Sequence, residues 1–533
     1  MPTIMTGIIQ KMSLKDLSFV AFVPRTAVVE TFVPLSIEAI YNMPKITSNA
    51  HLHANSVAIL DPSGEYTYQQ LIDASNQWAY RFLLGATDLD GARVAFMVQP
   101  GFHYVAVQWG IWKAGGVAVP LCVTYPIASL QYVLEDTGAS QVVIDTDFQE
   151  VLLPYVQSSQ LKYHLVHEEV HPQEMSLPEV SSDHPAMILY TSGTTSLPKG
   201  VVTTHGNIDF QMNCLVQAWE WKASDRTICI LPLHHIHGII NVIGCSLSVG
   251  AICEFMPKFN AVEVFNRLVS GELTVFMAVP TIYFKLISHW DTLAHSDQKV
   301  IYSSLIKFRL MVSGSAALPV SVMEKWHRIS GHWLLERYGM TEIAMAISNP
   351  FHGERRPGHV GLPLPGVSVR LMGDNEEIKE DLEPGEIQIK GPNVFQSYWN
   401  KPTATQETFT EDGWFKTGDV AHLDGGYYKI LGRSSVDIIK SGGYKLSALE
   451  IEEVLRIHPN VEDCGVVGLP DDEWGEVVAA VLVLKNALTK EEINTWLRER
   501  LPGYKVPRLY HFVDELPRNA MGKVTKNELK IMF

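Results

Sequence analysis

Cysteine is sparse. The chain has six in 533 residues (Cys122, Cys214, Cys229, Cys245, Cys253 and Cys464), scattered mostly within apolar runs and never at a metal-ligand spacing. That pattern excludes a disulfide framework and reads as reduced core thiols in a reducing compartment. Positive charge is also short: 42 Lys and Arg stand against 58 Asp and Glu, a net charge of −16. An excess of this sign argues against nucleic acid or an anionic membrane as a standing partner. No apolar run reaches the ~20 residues that a bilayer span needs.

What is present is ordinary for a globular enzyme, with 46% hydrophobic and 19% charged residues. A chain this long exceeds one core, so two or more domains are expected. Residues 1–33 carry Lys11, Lys15 and Arg25 against Asp16 and Glu30, without the Arg/Ser richness of a transit peptide. They read as a tail, which implies a cytoplasmic protein. A transit peptide there would instead direct it to the mitochondrial or plastid matrix.

Strand and helix patterns alternate through the first half: a helix over Asp73 to Leu83, then strands at Arg93–Met97, Val117–Leu121 and Gln141–Asp145. This spacing predicts parallel α/β layers, whose ligands sit at the carboxyl ends of strands. At such an end lies Met187-Ile-Leu-Tyr-Thr-Ser-Gly-Thr-Thr-Ser-Leu-Pro-Lys-Gly200. Small residues let backbone N–H groups turn inward, hydroxyls add donors and Lys199 adds charge, which suits a polyphosphate. The Walker order is absent, and a solvated loop is the competing reading.

Further on, Leu310-Met-Val-Ser-Gly-Ser-Ala-Ala317 and Leu334-Leu-Glu-Arg-Tyr-Gly-Met-Thr-Glu342 repeat strand followed by small-residue turn. Tyr338 offers an aromatic face for a base and Glu342 a carboxylate for Mg²⁺; core packing and a surface acid are the alternatives. His234-His-Ile-His237 lacks a nearby fourth ligand and reads as polar pocket lining rather than zinc. From Gly366 short alternating strands predict a β-subdomain, with Asp419 at a tight turn suited to a ribose diol. Arg433 to Val436 reads as a boundary, and the last hundred residues as a separate α+β domain.

These stretches occur together and in order. From about Glu65 to the C-terminus the chain resembles the acyl-adenylate-forming superfamily of AMP-dependent acyl-CoA synthetases, luciferases and adenylation domains. The resemblance implies a large domain over 34–432, a hinge at 433–436 and a small mobile domain over 437–533. It implies a ligase using ATP, Mg²⁺ and coenzyme A: a carboxylate attacks the α-phosphate to give acyl-AMP and pyrophosphate, the small domain swings, and a thiol displaces AMP.

By the same resemblance Thr191, Ser192, Gly193, Thr194, Thr195 and Lys199 would hold the β- and γ-phosphates. Gly314, Ser315, Ala316 and Tyr338, with Gly339, would sandwich adenine. Thr341 would touch the α-phosphate and Glu342 bind Mg²⁺. Asp419 would take the ribose hydroxyls, supported by Arg433. His235 and Lys523 would meet at the junction of carboxylate and α-phosphate, and Gly442 and Gly443 would line the pantetheine tunnel. Ser196 stands where many members carry Gly, and Ser435 where Asp or Lys is common at the hinge.

Leu231–Gly238, Val312–Pro319, Leu335–Glu342 and Gly432–Glu450 are similar to malonyl-CoA synthetases, especially the organellar kind that also takes methylmalonate. A dicarboxylate needs a second cationic or donor-rich site, because a buried unpaired charge is prohibitive. Lys285, His237 and Ser313 are the candidates, with a surface charge the alternative for Lys285. Another short or aryl acid, or a carrier protein as acceptor, are the competing substrates.

Overall fold

The computed structural model describes residues 46–168, 172–191, 197–374, 376–518 and 524–533. Ser192, Gly193, Thr194, Thr195, Ser196 and Lys523 lie outside them, as does the 1–33 tail. The expected class is observed: a large N-terminal part of layered α/β sheets with a β-subdomain, and a small α+β C-terminal part.

Two large sheets face each other. The first has nine strands, and its centre is parallel in the order Leu335–Met340, Leu310–Ser313, Val275–Ala278, Arg226–Cys229, Ile252–Phe255 and Val57–Asp61. The second has seven, with Pro185–Thr191, Val117–Pro120, Arg93–Met97, Gln141–Ile144 and Lys162–Leu165 in parallel. Val117–Pro120, Gln141–Ile144, Val275–Ala278 and Leu310–Ser313 are buried throughout, which explains their nearly continuous apolar composition.

One apolar core joins the two sheets through the helices Tyr68–Leu83, Phe102–Lys113 and His205–Ala218. Phe102–Lys113 is apolar nearly all round, as a helix enclosed on every side must be. Gly110 sets its closeness to Tyr68–Leu83: a Cβ there would lie 2.4 Å from the Trp78 Cβ. A second core, around Trp326, Tyr283 and Phe276, covers the outer face of the nine-stranded sheet.

The helix expected from Asp73 begins five residues earlier. Thr67 accepts from the Gln70 backbone and Gln70 reaches back to the Thr67 N–H, a capping box that starts the helix at Tyr68. The Met187 to Tyr190 strand is the centre of Pro185–Thr191, which returns antiparallel as Lys199–Thr204 with Thr191 opposite Lys199.

The β-subdomain is a five-stranded antiparallel sheet containing Phe415–Asp424 and Tyr427–Arg433. Asp419 is therefore on a strand and not in a turn; the turn signal came from Gly418, whose φ of 73° lets the strand bulge. The C-terminal sheet is led by Val461–Asp471 and Gly475–Leu484, with the helices Ala448–Arg456 and Lys490–Arg498 on one face. It touches the large part directly: Glu453 Oε2 accepts from the Val320 N–H at 3.1 Å, at the start of the helix Val320–Ser330.

Candidate active site

The strand Leu335–Met340 is the axis of the site, and its two-residue period divides the site in two. Tyr338 lies on one face and Arg337 on the other.

On the Tyr338 face, its hydroxyl donates to Asp419 Oδ2 at 2.6 Å, and Arg433 Nε donates to Asp419 Oδ1 at 3.1 Å. Arg433 also donates to the Thr417 carbonyl, and the Asp419 N–H to the Thr417 hydroxyl. Antiparallel pairing puts Asp419 directly opposite Arg433. Burial, reinforced by Asp419, pushes the Tyr338 phenol well above its usual range, so it remains a donor. The strand then turns through Thr341 to Glu342, which is buried and accepts from the Tyr398 hydroxyl at 2.9 Å. Burial raises the Glu342 carboxyl, against the opposing hydrogen bonds and Arg433. Lys199 Nζ stands 5.0 Å from the centre of the Tyr398 ring. The Lys199 hairpin and Glu342 thus converge on one aromatic residue.

On the other face stands a buried cation, Arg337. Arg337 is 3% exposed; its Nη2 donates to Ser315 Oγ at 3.4 Å, and the same oxygen lies 3.1 Å from His237 Nδ1. Gly314 makes room for the guanidinium, since a Cβ there would sit 2.5 Å from Arg337 Cζ. Ser315 takes a left-handed φ of 72°, a strained conformation for a non-glycine residue. Burial, with Arg337 and His235 nearby, holds the His237 imidazole well below its usual range, so it is neutral at pH 7. Burial lowers Arg337 to about 9, still charged, and raises the neighbouring Glu336 carboxyl up to about 8.

Of the residues singled out in the sequence, the structure gathers Tyr338, Gly339, Asp419 and Arg433 in one group. Lys199 and Glu342 meet at Tyr398, and His237, Ser315 and Gly314 meet at Arg337. Ser313 is fully buried at the end of its strand, its hydroxyl without a hydrogen-bond partner among the described residues. His235 lies beside His234 with ring centres 4.1 Å apart and the rings tilted by 50°. Lys285 stands apart, exposed on the helix Pro280–Trp290 with Nζ 5.7 Å from the Phe259 ring. Gly442 and Gly443 form the tight turn between Ile438–Ser441 and Tyr444–Ser447, with φ of 57° and 84°. The Gly442 N–H donates to the Trp474 carbonyl, and a Cβ there would meet the Trp474 ring at 2.9 Å.

Sequence reasoning passes over Arg337 and Tyr398. Arg337 carries a signal, a cation inside a buried strand, where a charge needs a partner. Tyr398 carries none, because its role depends on contact with Glu342 across 56 residues.

Asp419→Ala is expected to lower kcat/KM for ATP about a hundredfold, since it removes a carboxylate that holds two partners. ATP–pyrophosphate exchange measures this; a loss below about threefold would separate Asp419 from nucleotide binding.

The chain matches the AMP-binding enzyme family over residues 46–399 and the AMP-binding enzyme C-terminal domain over 450–523. It belongs to this acyl-adenylate-forming family. A mitochondrial malonate–CoA ligase of Xenopus laevis is 42% identical, with 92% of each chain covered. ATP-bound MatB of Rhodopseudomonas palustris is 31% identical and superposes with a TM-score of 0.83, over 92% of this chain and 99% of that one. Apo MatB from the same organism gives 0.75 at 31% identity, over 91% and 98%. Among the described residues no helix is long and apolar enough to cross a membrane.

Proposed function

We propose that malonate is the acid this AMP-forming acid:CoA ligase activates, with methylmalonate as a second substrate. The observation that carries the reading is Arg337, a charged guanidinium buried beside Gly314, Ser315 and His237. A buried cation of this kind calls for an anionic partner, and the far carboxylate of a short dicarboxylate supplies one. Glu336 does not, because burial keeps it protonated at pH 7. A pocket for an aryl or simple fatty acid has no use for the charge.

In the first step one carboxylate oxygen attacks the α-phosphorus of ATP, the bond to the bridging oxygen breaks, and pyrophosphate leaves. Asp419 and Arg433 hold the ribose, Tyr338 packs on adenine, and Thr191 to Thr195 with Lys199 hold the leaving pyrophosphate. Thr341, His235 and Lys523 surround the α-phosphate, where donors and cations offset the charge that builds in the transition state. Glu342 fits Mg²⁺: a buried carboxylate with its pKa raised by desolvation gains from a cation, and one carboxylate beside substrate phosphates is a usual magnesium arrangement. That ion would screen the phosphate oxygens when bound.

In the second step the coenzyme A thiol attacks the acyl carbon and AMP departs. Rotation about residues 433–436 would bring the Gly442–Gly443 turn to the pantetheine. A mitochondrial address is the reading that the Xenopus relative favours for residues 1–33; import of a fluorescent protein fused to them tests it.

Pyrophosphate release from ATP and coenzyme A with a panel of malonate, methylmalonate, succinate, acetate, butyrate and benzoate tests the proposal. Malonate is expected to give the highest kcat/KM. A preference for benzoate or butyrate would overturn it.

The raised Glu336 carboxyl adds a pH signature. Above about 8 it ionises next to Arg337 and competes for its charge. KM for malonate in the adenylation half-reaction should therefore rise several-fold, on the order of 1 kcal/mol, between pH 7 and 9. KM for butyrate should stay level, and Glu336→Gln should weaken the rise and leave the part above about pH 8 that comes from Arg337 losing charge at about 9. Parallel profiles for the two acids would refute the pairing.

A further inference from the structure

We infer that Asn241 is a specificity-determining residue of the acid pocket, its side-chain amide donating to the far carboxylate of the substrate alongside Arg337. The inference rests on the reading of the acid as a short dicarboxylate.

Asn241 is 1% exposed, yet neither its amide nitrogen nor its amide oxygen has a hydrogen-bond partner among the described residues. A buried amide with both ends unsatisfied is rare and costly in a folded chain, and calls for a ligand or a bound water. Its position points to the ligand. Residues His237–Gly244 form a π-helix, a rare element whose bonds run from i to i+5 and which is concentrated at functional sites. Its wide turn places Asn241 about one turn beyond His237, on the same side.

His237 in turn faces Ser315 through Nδ1, and its Nε2 is also buried without a partner among the described residues. Ser313 Oγ and Arg337 Nε share that condition. The other side of the π-helix is already packed: a Cβ at Gly244 would lie 2.8 Å from Met212 Sδ, on the helix His205–Ala218. Asn241 therefore belongs to the side that carries His237 and not to the side that carries packing.

An anionic carboxylate accepts only. Towards it the amide N–H₂ is the useful end, and the amide supplies direction without the cost of a second buried cation. Arg337 supplies the charge; Asn241 sets how far from the reacting carboxylate the second one sits. That distance separates malonate from succinate.

Asn241→Leu keeps the size and removes the donor; Asn241→Asp keeps the shape and places an anion against the substrate. Pyrophosphate release by the full chain is measured with malonate, succinate and butyrate. For the Leu variant, KM for malonate should rise about tenfold to a hundredfold, while KM for ATP and for butyrate stays within about twofold. The Asp variant should lose malonate turnover and keep butyrate turnover. Asn241→Thr, which retains a donor in a smaller side chain, replaces Leu if that variant does not fold; it should preserve malonate use and shift the malonate-to-succinate ratio. Unchanged selectivity in the variants that fold, or equal loss on every acid, overturns the assignment. The wild-type acid panel separates this from the parent reading: a wild type that ignores malonate removes the parent reading, whereas a malonate-selective wild type with indifferent Asn241 variants removes only this one.

Discussion

Arg337→Met is expected to lower kcat/KM for malonate about a thousandfold while leaving butyrate within about threefold of the wild type. Methionine keeps an unbranched apolar stem in the space beside Gly314, so packing is largely retained. The guanidinium is lost. The far carboxylate of malonate would then enter a buried site without its cation, and removing one member of a buried pair costs about 3–5 kcal/mol. Butyrate brings no second charge and loses little. Steady-state kinetics with both acids gives the answer, and an equal loss on each would mean that Arg337 supports the fold and not the acid. Arg337→Lys should recover only part of the malonate activity, because an ammonium cannot reproduce the planar fork. Lys285→Met is the informative partner experiment: with Lys285 exposed against Phe259, malonate kinetics should change little. A large malonate-specific loss there would move the acid site to that helix.

Lys523→Ala is expected to slow acyl-adenylate formation about a thousandfold and to leave thioester formation from supplied acyl-AMP nearly intact. Negative charge accumulates between the attacking carboxylate and the α-phosphate only in the first step. A donor aimed at that point is worth about 10²–10³ in rate, and a cation in a water-poor site somewhat more. In the second step the thiol attacks the acyl carbon and AMP leaves, so the same lysine has no such role. ATP–pyrophosphate exchange reads the first half-reaction, and thioester yield from synthetic malonyl-AMP and coenzyme A reads the second. Comparable damage to both would show that Lys523 serves the small domain's structure. Lys199→Ala should divide the half-reactions in the same sense with a smaller effect, if Lys199, which lies 5.0 Å from the Tyr398 ring, holds the leaving pyrophosphate as proposed.

Much of the nucleotide side is legible in the sequence. Thr191 and Lys199 stand in one motif and are paired across one hairpin. Tyr338 and Glu342 lie four residues apart in another. Such local clusters are readable because turn geometry and strand ends already bring the residues together. Gly442 and Gly443 come from the resemblance alone; the structure adds that they form a two-residue hairpin turn, which requires positive φ. Asp419 stands out as a polar residue of interest, but its motif reads as a turn, since Gly418 gives the same signal in a bulged strand.

The acid side is legible only in part. His237 and Ser313 stand out, yet sequence neighbourhood favours Lys285 over Arg337 as the cation. Depth of burial is what makes Arg337 the cation we propose, because a buried charge needs a partner and an exposed one does not. Arg337 is enclosed and Lys285 faces solvent.

By itself the sequence determined the layered α/β class and the order of the motifs, because these are written in local patterns of apolar periodicity, glycine and hydroxyl residues; the kind of reaction followed only from the resemblance that the motifs together carry to the acyl-adenylate-forming family. Only the tertiary structure decided how Leu335–Met340 divides the site, with Tyr338 joined to Asp419 and Arg433 on one face and Arg337 joined to Ser315 and His237 on the other. Those contacts join strands and loops far apart in the chain, and buried charge acquires a meaning only when its surroundings are known.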